Sequence, residues 1–256
     1  MTQAVSVSFF RFEGIAARCW AFGQMQFARG PLRRLPDIGF VKMFGTGTGE
    51  GFTPLPNFGV YALMATWPSL EIAQARIRGA AVYHRYQRHA VEHATVFLTA
   101  TKSRGLWDGQ PPFTLGPEQS DNECMAVLTR ATLKKRHIFK FWRHTPAVSQ
   151  TIRDQSNLLF KIGMGEVPWF QQVTFSIWND AERMRAFAYK SASHAAAIKD
   201  VRAHGWFKEE LYAHFRILAA EGQWDGKPFL APVSAHAAML PGKTQVSLAN
   251  ENVLVE

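Results

Sequence analysis

Arginine in the middle of an apolar strand must reach water, a carboxylate or an anionic ligand. This sequence has two, Arg11 in VSVSFFRF and Arg130 in AVLTRAT, 119 residues apart, the same separation as Lys42 and Lys161. Two readings stand: an ion pair at a sheet edge, or a clamp for a ligand carboxylate such as a haem propionate. Histidine supplies the metal chemistry. Met184, Phe187, Ser191, His194, Ile198 and Val201 recur at spacings of three and four, which puts His194 on the buried stripe of a helix. It reads as a core histidine or, through one neutral ring nitrogen, as the proximal ligand of a haem iron. Ser191 and the small residues up to Ala197 leave room beside it for something large and flat, which Ser191 and Phe187 on the same stripe would contact. His84, His89 and His93, in HRYQRHAVEH, are the rival iron site, with His89 and His93 at i, i+4. They lack HExxH and evident further ligands, and a solvated basic helix is the other reading. No GxSxG or nucleophile triad occurs. GTGTGEG at 45–51 fits a dinucleotide loop poorly. Cys19, beside Trp20 in a helical segment, lacks the Phe- and Gly-rich surroundings of a haem thiolate.

The elements that must hold these residues come twice. LFKIGMGEVPWFQQVTFSIW at 159–178 has a looser copy at 41–67, and each copy ends on nearly the same words, GLWDGQPPF and GQWDGKPF. Lys42 pairs with Lys161, Trp67 with Trp178 and Trp107 with Trp224 in this alignment. The hydrophobic periods predict βαββαβ in each half, the ferredoxin-like split, with residues 1–114 and 125–230 as repeats, 115–124 as linker and 231–256 as a tail. The expected class is α+β: two tandem ferredoxin-like repeats packed as a fused pseudo-dimeric α+β barrel. In the third strand of the second repeat, Val173, Phe175 and Ile177 face one way and Gln172, Thr174 and Ser176 the other. The apolar row is expected against the helices and the polar row toward a space between the sheets. Trp206–Ala213 reads as helical, with Phe215–Ala219 closing the sheet. Trp169, Phe170, Phe175 and Trp206 are candidate apolar walls for a substrate.

Composition narrows the setting. The chain has 256 residues, is 47% hydrophobic, carries a net charge of +9 and has a pI near 9.8. No apolar run reaches the ~20 residues of a membrane span. The N-terminus lacks a basic region before an apolar core, so it reads as a first strand and not a signal peptide. Two cysteines without a CxxC suit a reducing cytoplasm. Lys and Arg are scattered apart from Lys134–His137, and 20 Phe and 8 Trp favour a membrane surface over nucleic acid as partner.

Four long words, FVKMFGTGTGEGFTP (40–54), LTRAT (128–132), IGMGEVPWFQQVTFSIW (162–178) and GWFKEELYAHFRIL (205–218), resemble the spheroidene monooxygenases, the carotenoid 2-ketolases of purple photosynthetic bacteria. The resemblance runs from about Val5 to Phe229. It implies an enzyme using O2, a reduced ferredoxin and haem b to oxidise carbon 2 of a methoxy carotenoid, of the spheroidene-to-spheroidenone type. It also implies His194 as axial ligand, and a cytoplasmic protein at the inner photosynthetic membrane, oligomeric or not. A non-catalytic haem or carotenoid carrier and a non-haem iron oxygenase are the alternatives.

Overall fold

The computed structural model describes residues 2–49, 53–118, 123–143, 157–181, 184 and 205–230. The first half runs β1 (Ala4–Arg11), α1 (Ile15–Phe27), α2 (Arg29–Arg33), β2 (Val41–Gly47), β3 (Pro56–Trp67), α3 (Leu70–Gly79), α4 (Ala81–His89) and β4 (Glu92–Gly105). The second contributes β5 (Met125–Leu133), a 3-10 turn at Lys135–His137, β6 (Leu158–Val167), β7 (Gln171–Trp178), β8 (Phe207–Trp224) and the short β9 (Lys227–Pro228). Ser69 starts α3, its hydroxyl accepting from the Ile72 N–H, and the chain leaves helical geometry at Ala80 before α4 begins.

The expected helix at Trp206–Ala213 is instead the first part of β8, one strand through Phe207–Trp224. The Glu-Glu-Leu there suits a helix, but β8 pairs with β5 on one side and β4 on the other. Ladder bonds on both edges override a weak local preference.

Strand order is β4-β1-β3-β2-β6-β7-β5-β8, with β4 also paired to β8, so the sheet closes on itself as an eight-stranded antiparallel barrel. Each half supplies four strands. The β4–β8 seam is long, from Ala94↔Gly222 to Gly105↔Leu211, whereas β2 meets β6 only at Gly45↔Gly165 and Thr46↔Met164. Both seams are antiparallel pairings of equivalent strands. The pseudo-two-fold axis therefore crosses the wall at right angles to the strands and exchanges the two barrel mouths.

The expected facing of β7 is reversed. Val173, Phe175 and Ile177 lie inside the barrel with Val5, Val7 and Phe9 of the first half and Leu211 and Phe215 of β8. An eight-stranded barrel is just wide enough for side chains to fill it, so the most apolar row belongs inside. Phe9 packs on Phe160 and Phe175 across the axis at centroid distances of 5.0 and 5.8 Å. No space between two sheets remains for a ligand at that level. The polar row of β7 faces outward.

The ladder also corrects the repeat alignment. Val7 pairs with Met64 and Val96, and Leu128 pairs with Phe175 and Ala213. By that register Phe9, not Arg11, corresponds to Arg130, and Lys42 corresponds to Ile162. A slip of two keeps the face, so alternation conceals it; a slip of one exchanges inside for outside. Hence Lys42 shares the interior row with Phe44, while Lys161 shares the outer face with Ser176.

The two closing words clasp the halves together. Glu92 of the first half accepts backbone N–H bonds from Asp225 (3.2 Å) and Gly226 (2.6 Å), while Glu209 of the second accepts from Asp108 (3.1 Å) and Gly109 (2.8 Å). Both aspartates sit at positive φ, 53° and 54°, in the tight turn. Gly105 and Gly222 let each turn leave its strand: a Cβ would meet the Glu210 carbonyl at 2.1 Å or the His93 carbonyl at 2.2 Å.

Candidate functional site

Two regions hold functional side chains: the barrel mouths and the outward faces of the two half-sheets. At one mouth Arg11 pairs with Glu92 (2.8 Å) and Asp225 (2.6 Å) and lies over Trp224 at 4.4 Å. At the other, Arg130 takes Phe9's interior position, 1% exposed against 29% for Arg11. It is hydrogen-bonded to Glu209 and lies 3.8 Å from both Asp108 and Glu166. Lys42 joins it, bonding Asp108 and Glu166 at 2.5 Å each, and the Trp107 indole donates to Glu166 at 2.7 Å. Burial alone would raise the Glu209 pKa, but the Gly109 and Asp108 amides and Arg130 hold it below the usual carboxylate range. Both arginines are held by the chain's own carboxylates, the arrangement of the ion-pair reading. The Lys42–Glu166 pair was missed in sequence because the one-residue slip hid Lys42's inward direction.

The outward faces differ more. In the first half Val41, Met43, Phe10, Tyr61, Leu63 and Phe97 pack beneath α1–α4 with Tyr83 and Tyr86. Burial pushes the Tyr61 pKa up to about 12 and raises those of Tyr83 and Tyr86 as well. The register gives their counterparts as Lys161, Gly163, Ala131, Gln172, Thr174 and His214. Large apolar groups are replaced by small or polar ones at every position. Thr174, Gln172, Ala131 and His214 are half-buried, whereas Phe10, Tyr61, Leu63 and Phe97 are buried. Lys161 is 8% exposed, a charge drawn under the outer surface of a sheet. Such a face carries hydrogen-bonding groups and a positive charge of the kind that holds an anionic edge. His214 and Lys161 were not singled out in sequence; the signal was the strand-by-strand comparison of the repeats, unreadable until the register is known.

The structure disperses the histidine cluster. α4 ends at His89 and His93 stands on β4 opposite Phe10, where desolvation lowers its pKa. His89 stacks on Trp20 at 3.9 Å, its Nδ1 2.8 Å from the Arg85 carbonyl, and His84 is exposed. Among the described residues no three His, Cys, Asp or Glu side chains gather as metal ligands. His194, Ser191 and Phe187 lie outside the described residues. Of the candidate walls, Phe175 is barrel core. Phe170 and Trp206 flank the end of β5, their carbonyls accepting from Leu133 and Lys134. Trp169 is exposed and donates its indole N–H to the Pro54 carbonyl at 2.8 Å. These four do not form one pocket.

Closed strand order, four strands from each half and an axis through the β2–β6 and β4–β8 seams define a fused ferredoxin-like α+β barrel. Two aldoxime dehydratase crystal structures share that fold, at TM-scores of 0.58 and 0.56 with 11% and 10% identity, covering 84% of this chain and 82% and 79% of theirs. No family model matches. The chain is 46% identical over 226 residues to a spheroidene monooxygenase of Cereibacter sphaeroides, covering 88% of this chain and 70% of that one, and 44% identical over 230 residues to one of Rhodobacter capsulatus, covering 88% and 95%. The chain belongs to the spheroidene monooxygenase family.

Proposed function

We propose that this carotenoid monooxygenase binds haem b against the outward face of its second half and oxidises carbon 2 of an acyclic methoxy carotenoid, as in spheroidene to spheroidenone. The observation that carries the reading is the exchange of Phe10, Tyr61, Leu63, Phe97 and Met43 for Ala131, Gln172, Thr174, His214 and Gly163 at matched ladder positions. That exchange fits a flat group with polar edges. His194 is proposed as the axial ligand; in the sequence repeat it matches Tyr83, which is fully buried against the first half's sheet. Ser191 and Phe187 flank it by sequence. Lys161 and Gln172 are proposed to hold the group's anionic edge.

A bound haem supplies the oxygen activation that side chains cannot. The protein supplies the rest. Gly163 and Ala131 leave the floor low, so the group can lie close to the sheet. The apolar barrel behind that floor keeps water from reaching it through the sheet. Thr174 and His214 offer hydroxyl and imidazole groups for a proton during oxygen reduction. Each round consumes one O2, two electrons from reduced ferredoxin and two protons, leaving one oxygen atom on carbon and the other in water. A second round at the same carbon gives a geminal diol, which loses water to the ketone. Since carotenoids reside in bilayers, the chain is proposed to work peripherally at a membrane on its cytoplasmic side.

The test is spectroscopic and chemical. Purified protein should show a Soret band that His194→Ala abolishes and His89→Ala retains, and should convert spheroidene with O2 and reduced ferredoxin to the 2-keto product. A band lost only in His89→Ala moves the ligand to the first half. Haem with bound carotenoid and no product makes the chain a carrier.

A further inference from the structure

Ile15, Cys19, Phe22 and Gln26, at spacings of four, three and four, face solvent, and a different face of α1, with Ala21 at its centre and Ala17, Trp20 and Met25 beside it, packs on the sheet. Ile15 is 84% exposed and Phe22 60%, and Phe27 at the helix end is 72% exposed. The apolar surface continues beyond the helix. Phe22 meets exposed Phe58 at 5.6 Å; exposed Leu55 stands three residues before Phe58, and exposed Trp169 donates its indole N–H to the neighbouring Pro54 carbonyl. Single exposed apolar residues are ordinary, but a contiguous set is not. Four arginines rim it: Arg18, Arg29, Arg33 and Arg34, all exposed. No Asp or Glu occurs between Glu13 and Asp37.

We propose that α1 and α2, with Phe58 of β3 beside them, form the face by which this protein lies on an anionic lipid bilayer, the apolar stripe entering the acyl boundary and the arginines meeting the headgroups. An apolar side of a helix bordered by Arg without carboxylates is the pattern of an interfacial helix. Charge complementarity separates the occupants. An isologous contact between two copies would set the arginines of one against those of the other. An acidic protein would satisfy the arginines but leave Ile15 and Phe22 needing an apolar medium. This proposal names the membrane-facing surface of the function proposed above, but its test needs neither haem nor turnover.

Full-length protein is sedimented with vesicles of neutral phosphatidylcholine and with vesicles containing a third phosphatidylglycerol. The wild type should partition to the anionic vesicles and be released by salt. Ile15→Ser/Phe22→Ser should weaken partitioning about tenfold or more, and Arg33→Gln/Arg34→Gln by about fivefold per arginine at low salt. Phe139→Ser, an 87% exposed residue elsewhere, should bind as wild type. All three variants should melt at the wild-type temperature, because they alter exposed groups. Absence of vesicle binding, or equal binding by wild type and Ile15→Ser/Phe22→Ser, overturns the proposal. So does a wild-type dimer that this double variant turns to monomer while its lipid binding is unchanged, or a loss confined to binding of reduced ferredoxin.

Discussion

One half-sheet is covered as a core, and its copy carries small or polar side chains at the matched positions. Beneath α1–α4, Phe10, Tyr61, Leu63 and Phe97 are buried against helix residues such as Tyr83 and Tyr86. At the matched positions of the other half stand Ala131, Gln172, Thr174 and His214, only half-buried. Each large apolar side chain withdrawn from water contributes about 1.5–3 kcal/mol, so the second half forgoes stabilisation on the scale of a whole small domain's margin. A lone ferredoxin-like unit could hardly bear that. Here both halves share one interior, in which Val173, Phe175 and Ile177 are sealed by residues of the first half. Fusion lets one copy hold the fold while the other gives up large apolar side chains on its outer face.

Refilling the second face should produce the largest effect. Gln172→Tyr with Thr174→Leu copies Tyr61 and Leu63, and should lower haem content and carotenoid turnover at least tenfold while leaving the melting temperature equal or higher. The reciprocal Tyr61→Gln with Leu63→Thr should cost about 3–5 kcal/mol of stability and leave haem per folded chain unchanged. Soret absorbance and denaturant unfolding read the two outcomes. Haem retained in the refilled variant would place the cofactor elsewhere.

The mouths offer a second contrast. Arg130→Leu takes the guanidinium from half-buried Glu209 and Glu166, which keep the Asp108 and Gly109 amides and the Lys42 and Trp107 bonds respectively, and should cost about 1.5–3 kcal/mol. Arg11→Leu acts at a rim where Asp225 is exposed and should cost about 1 kcal/mol. Equal losses in urea unfolding would mean that the two-residue difference in depth has no energetic consequence.

Duplication, strand alternation and the long family words carried the α+β barrel in sequence, because each leaves a pattern within a short window. Which face of β7 turned inward was not legible: Val173 and Gln172 alternate identically whichever side is core, and only barrel closure decides. Arg11 and Arg130 looked equivalent because their neighbouring residues match, whereas ladder pairing sets depth, and it places Arg130 where Phe9 lies. β8 read as part helix because Glu209 and Glu210 suit one, and two flanking strands outvoted them. His89 and His93 lost their helical spacing when α4 stopped at His89.

The charge in the clasp is tested through pH. Glu209 holds the Asp108–Gly109 turn of the opposite half and is bonded to Arg130, and its pKa is depressed in the fold. A depressed carboxylate contributes stability above its unfolded pKa of about 4.3 and loses it as pH falls through the folded value. Glu209→Gln keeps the shape but gives up the charge-assisted bonds, and should cost about 1–3 kcal/mol at pH 7. As pH falls through that depressed folded value the wild-type carboxyl takes up its proton, so urea midpoints of the two proteins should converge at the acid end. A gap that stays constant from pH 7 to 3 would mean that Glu209 acts through shape alone, and that the clasp is held by the turn geometry of Asp108 and Gly109 without help from charge.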